Sequence, residues 1–151
     1  METDKGGWTV IQRGKFPIQQ DFYKDWESYK NGFGNLKEEF WLGNENIRVL
    51  CQKGWEIRFD LQDEKGEKGF ALYQNFNLSG ENYRIAISGY TGTVGDDMQN
   101  ENNFDFSTKD KGNIGEAQRL KSGWWIGNNG YYSNLNGIYQ PGQSNVETVG
   151  W

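Results

Sequence analysis

The chain contains no histidine. That absence excludes general-base catalysis by imidazole, every His-based triad and His-containing zinc sites. It has one cysteine, Cys51, so no internal disulfide can form and folding must rest on packing. Cys51 closes a helical stretch after Leu50, with only Lys53 nearby to favour a thiolate, and is expected to be a buried, inert thiol. Proline is scarce, at 2 residues, whereas glycine reaches 21. This balance calls for many tight turns and excludes a collagen or a linker. Positive charge is in deficit: the formal net charge is −5. With no Lys/Arg cluster to offset it, the chain repels nucleic acid and anionic membrane, so neither is expected as a partner. No apolar run approaches membrane-spanning length. No signal peptide is visible either, since Met1 is followed at once by Glu2, Thr3 and Asp4. Gly92-Thr93-Val94-Gly95 lacks the following Lys-Ser/Thr of a phosphate-cradling loop. The paired carboxylates Glu38-Glu39 and Asp96-Asp97 are expected to be solvated acids, because adjacent side chains point apart. No enzyme is indicated.

What the chain has in quantity is rings. Aromatics make up 16% of it, against a hydrophobic fraction of 34%. A core for one 151-residue domain must be built more from rings than from aliphatics. Thr9 to Arg13 has a strand-like start after Gly6-Gly7. Asp21 is placed to cap a helix running to about Asn31, with Phe22, Trp26 and Tyr29 on one face and Gly32 and Gly34 stopping it. Asn44 is placed to cap a short helix from Glu45 to Cys51, ended by Gly54. Trp55, Ile57, Phe59 and Leu61 alternate with Glu56, Arg58 and Asp60, the period of a strand. Glu64-Lys65-Gly66-Glu67 predicts a hairpin turn, Phe70 to Leu78 the returning strand and Tyr83 to Ser88 a third. From Gly89 onward periodicity disappears. Phe104, Phe106, Trp124, Trp125, Tyr131, Tyr132, Leu135 and Tyr139 are too many rings for a solvated tail, so an ordered, loop-built subdomain is expected. Trp124 and Trp125 are assigned to its core.

Four segments carry a resemblance. They are Gly6-Gly7-Trp8-Thr9-Val10-Ile11-Gln12-Arg13, then Asp21 to Gly34, then Glu39-Phe40-Trp41-Leu42-Gly43-Asn44-Glu45-Asn46-Ile47, and Ser133-Asn134-Leu135-Asn136-Gly137. In order and spacing the chain resembles the fibrinogen C-terminal domain family from Met1 to about Gly142, with the ficolin- and tachylectin-like lectins nearest in character. The resemblance implies an α+β fold with a twisted antiparallel central sheet and a loop-rich C-terminal subdomain. One domain is expected: an N-terminal part (1–54), the central sheet (55–88) and a ligand and calcium subdomain (89–151). It also implies secretion and non-catalytic recognition of an acetylated sugar or glycan, in the manner of innate-immune lectins. A protein-binding module of the receptor-ligand branch is the alternative.

The chain departs from the family's pattern at several points. Family disulfide positions near Glu116-Ala117 and at Gly130 hold no cysteine. The final strand that returns to the sheet in relatives is expected beyond Val149-Gly150-Trp151. Without it, an open sheet edge or an uncovered apolar groove should remain, to be filled by a peptide or a second chain. These departures also fit an engineered or trimmed scaffold. In the calcium segment Phe106 to Asn113, Asp110 matches the first carboxylate, Gly112 stands at the second, and Asn113 offers only an amide oxygen. Two readings stand there: a weakened calcium site, or a turn with one solvated Asp. The implied ligand pocket falls at Asn129, Gly130 and Tyr131, with Tyr139 available for stacking and Asn128 for hydrogen bonding.

Overall fold

The computed structural model describes residues 2–3, 6–15, 20–128, 133–140, 142 and 149–151. The first third is a set of short pieces. Strands β1 (Glu2–Thr3) and β2 (Gly6–Gly7) pair with each other. Strand β3 (Gln12–Arg13), helix α1 (Trp26–Asn31), strands β4 (Phe33–Gly34) and β5 (Phe40–Trp41) and helix α2 (Asn44–Leu50) follow. β5 lies between β3 and β4 in a small antiparallel sheet. The strand expected over Thr9 to Arg13 shrinks to Gln12–Arg13, the two residues that pair with Trp41 and Phe40.

α1 starts later than its sequence suggests. Asp25, extended at φ −80° and ψ 175°, accepts the Ser28 N–H and caps the helix. Asp21 instead accepts the Tyr23 N–H two residues on, a local turn bond that competes with helix. Gly32 ends the helix at φ +92°, where an added Cβ would lie 2.5 Å from the Leu42 carbonyl oxygen. α2 begins at Asn44 itself: the Asn44 amide oxygen accepts from Trp41 Nε1 at 2.9 Å, Gly43 takes the N-cap position, and no side chain caps this end. Its last turn tightens into a 3₁₀ turn, Cys51–Lys53, before Gly54.

The central sheet has the order β6 (Trp55–Gln62), β7 (Lys68–Ser79), β8 (Arg84–Gly92), all antiparallel. The β6–β7 turn is the expected one: the Asp63 carboxylate accepts the Lys65 and Glu67 N–H groups, and Gly66 takes φ +85°. An irregularity between Trp55 and Ile57 shifts the register, so the buried set on β7 moves from Ala71 and Tyr73 to Phe76 and Leu78. Ile85 and Ile87 of β8 are buried on the same side. The β8 edge is covered. Ile85 N–H donates to Phe104 O (3.1 Å), Asn103 N–H donates to Ile85 O (2.8 Å), and Ile87 N–H donates to the Asn102 side chain (2.9 Å). On the far side of β6 no strand is paired among the described residues.

Beyond β8 the chain makes a 3₁₀ turn (Asp97–Glu101), β9 (Phe106–Ser107), α3 (Ile114–Leu120) and β10 (Trp124–Trp125), which pairs with β9. The core here is rings on rings. Phe106 packs edge-on against Trp125 (centroids 5.1 Å apart) and Trp124 edge-on against Trp125 (5.1 Å), while Tyr29 lies tilted on Phe106 (5.1 Å). Trp124 and Trp125 are core, as assigned. α3 was not foreseen; its face carries only Ala117 and Leu120 into the core.

Candidate functional site

Two clefts flank β6. The polar one, of about 580 Å³, is lined by Gln12, Lys15, Asp60, Gln62, Glu64 and Tyr139, among others. The β6–β7 turn positions its acids: Glu64 accepts the Gly142 N–H at 2.8 Å, and Asp60 pairs with Arg58 at 2.9 Å. Arg58 in turn lies 4.1 Å from the Phe70 ring. Tyr139 is thereby placed among carboxylates, a lysine and side-chain amides. The other expected ligand residues, Asn129, Gly130 and Tyr131, lie outside the described residues. Asn128 is exposed.

A residue that sequence reasoning passed over anchors this region. Glu101 is fully buried. Its carboxylate accepts from Trp124 Nε1 (2.7 Å), the Ser133 N–H (2.7 Å) and the Ser133 hydroxyl (2.9 Å). It thus fixes Ser133, where the Ser-Asn-Leu-Asn-Gly segment begins. Asn136 of the same segment donates to Gly123 O (3.0 Å) and accepts from Gln12 (3.3 Å). Only a carboxylate inside an otherwise unpatterned stretch signals Glu101 in the sequence.

The apolar cleft, of about 490 Å³, runs between residues 6–14 and 54–60. Successive residues of a strand point to opposite faces, so a cleft that touches all of 54 to 60 opens on the strand's edge. Its floor includes Trp41, Ile47, Cys51, Trp124, Trp125 and Leu135. Cys51 is 3% exposed, and burial pushes its thiol above the usual range, so it is the inert thiol expected. Trp151 packs on Phe59 (4.9 Å) and donates from Nε1 to Gly95 O (2.9 Å).

The loop expected to hold calcium is wired into the fold by direct bonds. Asp110 accepts the Trp26 N–H (2.9 Å) and the Thr108 hydroxyl (2.8 Å). Asn113 donates from its side chain to Gly127 O (3.0 Å) and from its backbone to the Ser107 hydroxyl (2.9 Å). Lys109 and Lys111 sit over the rings of Tyr23 and Trp26, at 4.6 and 4.1 Å. Among the described residues, no group of three or more His, Cys, Asp or Glu could hold a metal ion.

The acids expected to be solvated are partly otherwise. Glu39 is 7% exposed and accepts the N–H groups of Lys15 and Gln20. Asp96 accepts from the Tyr73 hydroxyl at 2.6 Å. Burial, then the neighbouring Asp96, pushes the Asp97 carboxyl above its usual value. Glu39 and Asp96 therefore serve the scaffold. No helix of the described residues is long and apolar enough to cross a membrane.

Comparison with known proteins supplies the frame for these clefts. Over residues 1–151 the chain matches the family model described as the C-terminal globular domain of fibrinogen beta and gamma chains. It is 44% identical over 154 residues to Techylectin-5A of Tachypleus tridentatus, covering 96% of this chain and 52% of that protein. It is 45% identical over 146 residues to human (Homo sapiens) angiopoietin-related protein 7, covering 92% and 42% respectively. This chain therefore spans about half the length of those relatives. Among solved structures, the fibrinogen-like globe domain of human ANGPTL2 superposes with a TM-score of 0.85 at 39% identity, covering 93% of this chain and 67% of that one. Lamprey fibrin D-dimer, complexed with the peptide Gly-His-Arg-Pro-amide, gives 0.80 at 34% identity, with coverages of 93% and 51%. With its α+β fold, its aromatic core and these matches, the chain belongs to the fibrinogen C-terminal globular domain family.

Proposed function

We propose that this chain is a non-catalytic recognition domain that binds an acetylated sugar or glycan through Tyr139 together with Asn129, Gly130 and Tyr131. The observation that carries the reading is Tyr139 lining a polar cleft beside Gln12, Gln62 and Glu64. A ring next to amides and carboxylates suits a sugar, whose C–H face stacks while its hydroxyls hydrogen-bond. The lectin implied by the name of Techylectin-5A is in accord with it. Calcium held by Asp110 and Asn113 would fall toward the millimolar end of affinities, because the site has one carboxylate and that carboxylate is already engaged.

The test is titration with N-acetylglucosamine, followed by backbone amide chemical shifts. Perturbations should gather at 129–131 and Tyr139, and Tyr139→Ala should abolish them. Perturbations gathered on the sheet around Arg58 or Arg84 would show the site to be wrong. A second reading is favoured by the apolar cleft: a peptide or second chain lies along the open edge of β6, with backbone bonds supplying affinity. A thermal melt with an extended peptide of alternating apolar residues, against a scrambled control, separates the two. A scaffold of engineered or trimmed origin, without an intact site, predicts silence in both assays.

A further inference from the structure

We infer that Asn77 is an acceptor site for N-linked glycosylation, taking an oligosaccharide wherever the chain meets an oligosaccharyltransferase. Asn77-Leu78-Ser79 is the one Asn-x-Ser/Thr triplet in the sequence, and its middle residue is not proline. A triplet of this kind arises easily by chance, so its placement has to show that the folded chain can carry a glycan there. About half of such placements in a sheet would be blocked, because alternate residues of a strand face the core.

Here the alternation falls the right way. Leu78 is 2% exposed and turned into the core, so Asn77 and Ser79, both exposed, share the opposite face of β7. The two residues that flank Asn77 directly are small. On the β8 side the residue opposite Asn77 is Ala86, and the next pairs along are Asn75 with Ser88 and Ser79 with Arg84. On the β6 side the last ladder pair is Trp55 with Phe76. The next residue toward Asn77 is therefore Gly54, where even an added Cβ would meet nothing within 4 Å. Asn77 thus stands between an alanine and a glycine on a solvent-facing surface, with room for a sugar ring on either side.

The amide is also turned correctly. Its oxygen accepts from the Cys51 thiol at 3.5 Å, which leaves the nitrogen at the other end of the planar amide, away from that contact. In the transfer, Nδ2 attacks the anomeric carbon of a lipid-pyrophosphate-linked oligosaccharide. A C–N bond forms, the carbon–oxygen bond to pyrophosphate breaks, and the lipid pyrophosphate leaves with the electron pair. One Nδ2 proton passes to a base of the transferase, and nothing is oxidised or reduced. The product keeps the amide oxygen that Cys51 uses, so the fold loses no contact. Asn77 lines neither cleft, so a glycan there leaves both recognition surfaces open.

The experiment expresses the full chain behind a secretory leader in eukaryotic cells, with lysate and medium analysed before and after an N-glycan amidase. The expected result is one mobility shift that the amidase removes, leaving Asp at position 77 by mass spectrometry. Asn77→Gln and Ser79→Ala should each lose the shift, whereas Ser79→Thr should keep it. Transfer precedes folding, so the lysate reports on the site even where a variant is not secreted. A wild-type chain that stays unmodified in lysate, beside a co-expressed control glycoprotein that is modified, overturns the inference. A shift that survives Asn77→Gln overturns it as well.

Discussion

The central sheet and the loop-built region after it are held together differently. In the sheet the buried residues are mostly apolar and spaced two apart: Ala71 and Tyr73, Phe76 and Leu78, Ile85 and Ile87. Their contribution scales with area removed from water and has little direction. After β8 the buried set includes Glu101, Ser107, Thr108, Ser133, Asn134 and Asn136. There the chain is positioned by directed bonds: Glu101 to Trp124 and Ser133, Asn136 to Gly123, and Trp125 Nε1 to Tyr83 O at 2.8 Å. A sheet of this kind tolerates changes of polarity on its outer face and resents changes of volume inside. A loop core of this kind is vulnerable at single acceptors.

The largest expected effect tests that vulnerability. Glu101→Ala leaves the Trp124 and Ser133 N–H groups buried without their acceptor and should destabilise the protein by about 4 kcal/mol. Glu101→Gln keeps one oxygen acceptor and should lose roughly half as much. Urea unfolding measures both. A Glu101→Gln variant as stable as wild type, beside a destabilised Glu101→Ala, would mean that the side chain's volume, and not its carboxylate bonds, holds Ser133. The matching change in the sheet is Leu78→Ala, expected to cost about 3 kcal/mol through lost burial and a cavity. Leu78→Met, which nearly conserves volume, should cost under about 1.5 kcal/mol. If Leu78→Met proved as damaging as Leu78→Ala, the contrast between the two regions would fail.

The same contrast explains what the sequence disclosed. Strand β6 itself, the Gly66 turn and the two returning strands could be read directly, because a strand's burial pattern is local; Trp55, expected on the face of Ile57 and Phe59, is instead exposed, beyond the irregularity that separates it from Ile57. The family resemblance carried the fold class. The apolar cleft's floor could not be read, since Trp41, Cys51 and Trp125 come together only through tertiary packing. Glu101 was invisible for a related reason: its bonds span 23 and 32 residues, and no spacing rule reaches that far. Of the candidate ligand residues, Tyr139 falls in a cleft with polar partners, a placement its sequence neighbours did not indicate.

A smaller effect is expected in the loop at Gly112. Gly112→Asp would restore the second carboxylate of the calcium pattern. Gly112 has φ +80°, and an added Cβ would lie 2.6 Å from the Ser107 hydroxyl oxygen and 3.0 Å from the Phe106 carbonyl oxygen. Steric strain should therefore outweigh any gain of a ligand, destabilising the protein by about 2 kcal/mol. A melt with and without millimolar calcium measures it. A variant more stable than wild type once calcium is added would show that the loop can reopen around an ion.

The smallest effect sits where the two modes of construction meet, at the start of α1. Two carboxylates serve this helix end. Asp25 is local and accepts the Ser28 N–H at 2.9 Å; Asp110 arrives from 84 residues away and accepts the Trp26 N–H at 2.9 Å. Asp25→Ala removes an N-cap and should cost about 1 kcal/mol near neutral pH. The bonds from Ser28 hold the Asp25 carboxyl below its ordinary value of 3.8. A group with a depressed folded pKa contributes its full stability above the unfolded value and loses it as pH falls through the folded one. The gap between wild type and Asp25→Ala should therefore be constant above about pH 5 and shrink below 3.8. Asp25→Asn caps nearly as well and does not titrate, so its stability relative to Asp25→Ala should stay level through that window. If Asp25→Ala costs nothing at any pH from neutral to strongly acid, the local cap is idle and Asp110 alone holds the end of α1.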